Sequence, residues 1–242
     1  MAIARAVADL DSLLQSAGIE DRAVNEKRYL KSDLEFYGVT VPAGNRIVRS
    51  WLDSLDDTSH DGIVALVEEL WSKPVHERRA AAVHVLELRL DRLQPTDIEL
   101  VERLLREAKT WALVDDLAAS VAGPLLDRHP NADAILDGWA RDDDFWIRRS
   151  ALLAHLLALR SGGGDFDRFT RYADAMLEEK EFFIRKAIGW ILRDTARRRS
   201  DMVFRWILPR AARASGVTIR EVVKRLPPDQ AAAVTAAHRT RR

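Results

Sequence analysis

The chain has 242 residues, 47% of them hydrophobic and 31% charged, with no cysteine. This is the composition of a globular protein with core enough for one or two domains, and it excludes disulfides, thiolate nucleophiles and cysteine-held zinc. Its 38 Lys and Arg balance 38 Asp and Glu, but unevenly: residues 1–140 hold 16 basic against 25 acidic side chains, and residues 141–242 hold 22 against 13, which puts the surface for any polyanionic partner in the C-terminal part.

In chain order the pattern is helix after helix. Residues 2–17 form an amphipathic segment that stops near Gly18, and 22–37 form a second that stops at Gly38, a residue suited to a helix C-cap. Pro42 opens a third helix running past Trp51. Thr58-Ser59-His60 offers N-cap chemistry for a fourth that ends near Lys73, and Pro74 opens a fifth, rich in alanine and leucine. Thr96 with Glu99 three residues on reads as a capping box before a helix over 97–107. The next helix runs from Trp111 to about Arg128, with Pro124 placed to kink it or end it early. Helices follow at 131–141 and 144–160. After the Ser161-Gly162-Gly163-Gly164 break, read as a mobile connector, come helices at 165–179, 181–199 and 201–214 and a weaker pair after Thr218. No stretch alternates with a period of two, so the expected class is all-α.

Several of these helices repeat one another. Val75-His-Glu-Arg78-Arg79-Ala80-Ala81, Phe145-Trp-Ile-Arg148-Arg149-Ser150-Ala151 and Phe182-Phe-Ile-Arg185-Lys186-Ala187-Ile188 share an apolar start, two basic residues and two small or apolar ones. The third copy follows the second by 37 residues, and Trp111 lies 37 before Arg148. A period near 40 with two helices each is the mark of a HEAT-like solenoid with a concave face. The expected organisation is a single such domain over 1–242 with a frayed tail at 239–242, and Trp111, Arg148, Arg149 and Lys186 are expected on one wall.

Two tryptophans are candidates for a site on that wall. Trp111 and Asp115, four apart, share a helix face beside the apolar stripe Val114, Leu117, Ala118, Val121 and Leu125, with only Ala118, Ala119 and Ala122 next to them. A shallow site is one reading, and a core tryptophan beside a solvated acid is the other. Trp190 falls about 130° from the centre of the stripe Ile184, Ala187, Ile188, Ile191 and Leu192 on the helical wheel, and Lys186 and Arg193 share its side. An indole between two cations suits phosphates and a base or sugar; packing against a neighbouring helix is the alternative. Arg148 and Arg149 stand in a first helical turn, where the dipole disfavours cations. An anionic partner explains them, and so does pairing with Asp142, Asp143 or Asp144.

Other chemistry is sparse. The six histidines show no zinc-ligand spacing, the glycine run lacks the Gly-Lys-Ser/Thr ending of a phosphate loop, and no serine sits in an elbow motif. No metal or cofactor is expected, and a catalytic group would be a carboxylate. The apolar runs are too short to span a bilayer and Met-Ala-Ile-Ala-Arg lacks a signal-peptide pattern, so a cytoplasmic monomer without membrane contact is expected.

The segment Lys180-Glu-Phe-Phe-Ile-Arg-Lys-Ala-Ile-Gly-Trp190-Ile-Leu-Arg193 resembles the signature of the AlkD family of DNA alkylation repair enzymes, HEAT-like repeat DNA glycosylases. Arg28-Tyr29-Leu-Lys31 with Phe36 and Gly38, Leu70-Trp71 with Pro74 and Ala80-Ala-Ala82, the Trp111/Val114-Asp115 spacing and Trp146-Ile-Arg-Arg149 extend the resemblance over essentially the whole chain. It implies hydrolysis of the N-glycosidic bond of N3- or N7-alkylated purines in double-stranded DNA, without base flipping and with room for bulky adducts. By position, it implies that Asp115 is catalytic, Trp111 and Trp190 are the site tryptophans, Arg149 binds DNA, Tyr29 belongs to the site region and Arg193 contacts the backbone. Arg148, Lys186 and Lys31 complete the DNA-binding set.

The chain departs from the family pattern beside its central pair. Thr110 stands where relatives carry an aromatic, Ala112-Leu113 replaces a polar pair, and Thr40-Val41 before Pro42 differs too. These changes bear on which lesion is preferred. The alternatives to a glycosylase are a non-catalytic paralogue that binds bent or branched DNA and a protein scaffold.

Overall fold

The computed structural model describes residues 2–56 and 58–240. The end of the expected tail, residues 241–242, lies outside them. Among the described residues there is no strand, only an isolated bridge between Glu35 and Val75, and the class is all-α. Contacts divide the chain into two compact units, 1–117 and 118–242.

The first unit holds α1 (Ala2–Ser16), α2 (Glu20–Leu30), α3 (Val41–Asp53), α4 (His60–Trp71), α5 (His76–Leu88), α6 (Ile98–Ala108) and α7 (Trp111–Asp116). α4 packs on α5 and α1, and α3 packs on α5 and α1. Leu10, Leu52, Ile63, Leu66, Leu70, Val85, Leu86, Val101, Leu104 and Val114 form its core, each contributing roughly 1.5–3 kcal/mol on burial. Capping fixes the helix starts. The Thr40 hydroxyl accepts from the Ala43 amide before Pro42, and the Ser59 hydroxyl accepts from Gly62. The capping box before α6 is formed by Gln94 and Asp97 rather than Thr96 and Glu99, because Pro95 and Asp97 first form a tight turn of their own.

α2 is shorter than its sequence pattern. It ends at Leu30, with Lys31 in the left-handed region (φ +49°), and residues 32–39 form an irregular, non-helical segment. Tertiary bonds hold that segment out of the helix. The amides of Tyr37, Gly38 and Val39 all donate to the buried Glu77 carboxylate, at 2.9, 2.7 and 3.1 Å, and Glu35 exchanges backbone bonds with Pro74 and His76. Gly38 has φ +82°, and a Cβ there would sit 2.2 Å from the Ile19 carbonyl oxygen, so its role is close backbone approach and not a helix cap.

Beyond α7 the chain widens into a π-helical turn, Leu117–Ala122, and re-enters α geometry in α8 (Gly123–Leu126). The change of helical geometry falls just before Pro124, which stands in the first turn of α8, where its missing N–H is tolerated, so of the kink or early stop expected there the helix shows no early stop. The second unit continues with α9 (Ala132–Trp139), α10 (Phe145–Leu153), α11 (Leu156–Arg160), α12 (Phe166–Ala175), α13 (Phe182–Ile207), α14 (Gly216–Val222) and α15 (Pro228–Arg239). The helix expected over 144–160 is interrupted at Ala154 and His155, where the imidazole turns onto Phe169 and Tyr172. The helix expected at 181–199 continues through a kink at Arg199 (φ −137°, ψ 51°) into the first half of that expected at 201–214, ending at Ile207 before a 3-10 turn at Leu208–Arg210. Arg199 also donates to the Gly163 carbonyl at 2.6 Å, tying down the glycine connector. The packing of α13 on α14 is the most extensive in this unit.

Candidate nucleic-acid interface

The paired basic residues of the repeats have a division of labour. In each pair the first reaches back to backbone carbonyls just upstream: Arg78 to Glu69 and Leu70, Arg148 to Asp142 and Asp143, Arg185 to Glu179. The second reaches forward by about one repeat: Arg79 to the Glu107 carbonyl at 2.9 Å, Arg149 to the Phe183 carbonyl, Lys186 to the Glu221 carboxylate at 2.6 Å. The first cation of each pair, standing in a first helical turn, is thus stabilised by donating to carbonyl oxygens of the preceding segment. For Arg148 the partners include the carbonyls of Asp142 and Asp143 together with the Glu179 carboxylate at 3.1 and 3.0 Å. Arg149 is only 2% exposed, with its guanidinium 5.7 Å from the centre of the Phe183 ring.

In the first unit, α7 starts after Lys109 (φ +47°) and an extended Thr110. The turn sets Trp111 at the surface, half-buried, with Asp115 one helical turn on and 9% exposed. The phenol ring of Tyr29, itself exposed, stands edge-on to the Trp111 indole, and Lys31 is exposed two residues beyond it. Thr110 and Leu113 point inward, at 2% and 1% exposure, and the Thr110 hydroxyl finds no hydrogen-bond partner among the described residues. Of the residues that depart from the family pattern at this helix, only Ala112 stays partly at the surface. Ala118, Ala119 and Ala122 are buried, so they pack inward and do not leave open space in front of the indole. Asp116, next to Asp115, is reached by solvent yet flanked by enough protein that desolvation, with the charges of Glu87 and Asp115 adding to it, pushes its carboxyl up to about 6.

In the second unit, the stripe Ile184, Ala187, Ile188, Ile191 and Leu192 is fully buried and turns Trp190 to the edge of the core, half-buried. Its indole N–H donates to Asp194 Oδ2 at 3.3 Å. The same oxygen accepts from Arg160 Nε at 2.8 Å, and Oδ1 accepts from Arg193 Nε at 3.2 Å. Arg193 also pairs with Glu221, which holds Lys186 at 2.6 Å and Lys224 at 2.8 Å. Burial would raise the Glu221 carboxyl, but the hydrogen bonds from Lys186 and Lys224 and the charges of Lys186 and Arg193 bring it down to about 2. Asp194 is lowered in the same way, against its burial, by Arg160 and Arg193.

A family model described as "DNA alkylation repair enzyme" matches residues 10–226, nearly the whole chain. The chain belongs to that family. Its structure is similar to a solved structure described as a predicted DNA alkylation repair enzyme from Enterococcus faecalis, with a TM-score of 0.72 and 22% identity over 87% of this chain and 97% of that one. This likeness establishes the all-α helical-repeat fold of the DNA alkylation repair family. No curated protein matches the chain.

Membership supports a role in alkylation repair and contact with DNA. Among the described residues no helix is long and apolar enough to cross a membrane, and no group of three or more His, Asp or Glu side chains is placed to hold a metal ion. Asp194 and Glu221 belong to the cluster around Trp190 and Arg193 without standing out by residue type. Spacing alone marks them in the sequence: Asp194 is four residues after Trp190, and Glu221 follows Lys186 by 35, close to the repeat spacing.

Proposed function

We propose that the protein is a monofunctional DNA glycosylase hydrolysing the N-glycosidic bond of cationic N3- or N7-alkylated purines in duplex DNA. The observation that carries this reading is the placement of Trp111 and Asp115 one turn apart at the start of α7, with exposed Tyr29 braced on the indole, in a member of the DNA alkylation repair family.

A cationic alkylpurine already needs no strong acid to leave. The electrons of the C1′–N bond pass to the base and quench its charge, while oxocarbenium character builds on the sugar. In this reading Asp115 stabilises that charge and orients the water whose oxygen bonds to C1′; the water's proton passes to solvent. The indole face of Trp111 holds the deoxyribose and favours its positive charge, and Trp190 offers a second indole face to the DNA from the other unit. Work on the sugar lets the lesion remain stacked, so bulky adducts are accepted, with Ala112 as the surface position that tunes the preference. Lys186, Arg193, Tyr29 and Lys31 meet the backbone; Arg148 and Arg149 do so only by exchanging their internal partners. The protein acts as a monomer in the cytoplasm, on the nucleoid.

The test is incubation with duplex DNA carrying 7-methylguanine or 3-methyladenine, scored for free base. Wild-type protein releases base, and Asp115→Asn lowers the single-turnover rate by about 10²–10³. Release unaffected by Asp115→Asn sinks the mechanism. Salt-sensitive duplex binding without release favours a non-catalytic DNA-binding paralogue.

A further inference from the structure

We propose that Asp194 is a positioning residue, holding the indole of Trp190 and the guanidinium of Arg193 in one fixed arrangement so that a stacking face and a phosphate-binding cation are presented together. The inference rests on the reading of Trp190 as a DNA-contacting residue.

Asp194 is 3% exposed and collects donors from three side chains: Trp190 Nε1, Arg160 Nε and Arg193 Nε. Neutralising Arg160 alone requires no indole. Trp190, Arg193 and Asp194 lie on one side of α13 at i, i+3 and i+4, the spacing at which helical side chains meet. Glu221 clamps Arg193 from α14 and holds Lys186 and Lys224 with it. It is brought there by a close helix crossing at Gly189, where a Cβ would lie 2.8 Å from Glu221 Cβ and 3.0 Å from the Thr218 carbonyl oxygen. Five cations, Arg160, Lys186, Arg193, Arg197 and Lys224, thus face two buried carboxylates, and the cluster stays net positive towards DNA while Arg193 and Lys186 are held in place. An anionic acceptor on the indole N–H also pushes electron density into the ring, which strengthens its attraction for positive charge developing on a sugar.

The test compares Asp194→Asn, whose amide oxygen still accepts the indole N–H, with Asp194→Ala, which removes acceptor and charge. Both lose one negative charge, so both bind duplex DNA at least as tightly as wild type at low salt, with a salt slope steeper by about one. Single-turnover base release falls by about tenfold to a hundredfold in Asp194→Ala and stays within about threefold of wild type in Asp194→Asn. The 15N–1H resonance of the Trp190 indole moves upfield in Asp194→Ala and stays near its wild-type position in Asp194→Asn. Equal loss of rate in the two variants, or none in either, overturns the proposal, as does a Trp190 resonance indifferent to Asp194→Ala. If Asp194→Ala does not fold, Asp194→Asn decides: a rate loss of tenfold or more overturns the proposal, and a retained rate with an unmoved indole resonance supports it. If wild type releases no base, the glycosylase reading fails separately. Positioning is then judged from the indole resonance on titration with duplex DNA, which moves in wild type and Asp194→Asn and fails to move in Asp194→Ala; the same response in all three overturns it.

Discussion

The ring of Tyr29 stands edge-on to the indole of Trp111, with centroids 5.9 Å apart and planes at 89°, although Tyr29 itself is 72% exposed. An aromatic residue so exposed is held for what it touches. Edge-to-face pairs are worth about 0.5–1.5 kcal/mol, so Tyr29→Ala costs little stability but frees the indole to turn. Tyr29→Ala is expected to slow base release by about tenfold while Tyr29→Phe, which keeps the ring edge, stays near wild type. Single-turnover rates and a thermal melt of the three proteins check this. A Tyr29→Phe variant as slow as Tyr29→Ala would move the role from the ring to the hydroxyl.

Glu77 is the anchor of the extended segment that follows α2. Its carboxylate is 6% exposed and accepts from three consecutive amides. Removing it leaves three amide donors unpaired, two of them buried, so Glu77→Ala is expected to cost about 3–5 kcal/mol and Glu77→Gln, which keeps one acceptor oxygen, about 1–3 kcal/mol. Urea unfolding at pH 7 measures both. Equal losses would show that the acceptor retained by glutamine does not reach the loop.

This segment also shows why part of the fold could not be read from sequence. The apolar stripe of α13 was legible because burial there follows a 3.6-residue period, and every residue of it is buried. The true end of α2 was not, because Glu77 lies some 40 positions from the amides it captures, and local pattern carries no trace of such a bond. The site divides similarly. Trp111, Asp115 and Trp190 stood out by type and spacing, whereas the internal engagement of Arg148 and Arg149 depends on where carbonyls of the preceding turn and of the next repeat fall in space. A repeated basic pair can mark stitching between repeats as readily as a surface for phosphates.

Asp116 gives the site a pH dependence. Its carboxyl is pushed up to about 6, first by desolvation and then by Glu87 and Asp115, while the neighbouring His84 pulls the other way. A carboxyl whose pKa rises on folding binds its proton more tightly in the folded state, so stability declines as pH rises from about 4 to beyond 6. Asp116→Asn is expected to remove that decline and to have a higher Tm than wild type at pH 8 but not at pH 5. In the glycosylase reading, ionised Asp116 adds a second negative charge near the sugar cation, so release rises through pH 6 and the variant loses that inflection. Melts at the two pH values and a pH–rate profile decide, and matching curves for the two proteins would remove Asp116 from both roles.

His155 sets a different window. Burial, followed by the charges of Arg168 and Arg171, brings its imidazole down to about 4, and its Nε2 finds no hydrogen-bond partner among the described residues. The ring is therefore neutral at pH 7, where it packs 5.9 Å from Tyr172 and 6.3 Å from Phe169. The unfolded chain takes up a proton below pH 6.5 that the folded chain refuses until about pH 4. The stabilising contribution is complete above pH 6.5 and is lost as pH falls through that interval, by about 3 kcal/mol at its acid end. His155→Phe keeps an aromatic ring against Phe169 and Tyr172 and carries no proton, so its stability is expected to change little between pH 7 and pH 4.5 from this source. Urea unfolding of both proteins at the two pH values tests this through the difference in slope, whatever the variant's absolute stability. Parallel pH dependences for wild type and His155→Phe would show that His155 is not the group being protonated on unfolding.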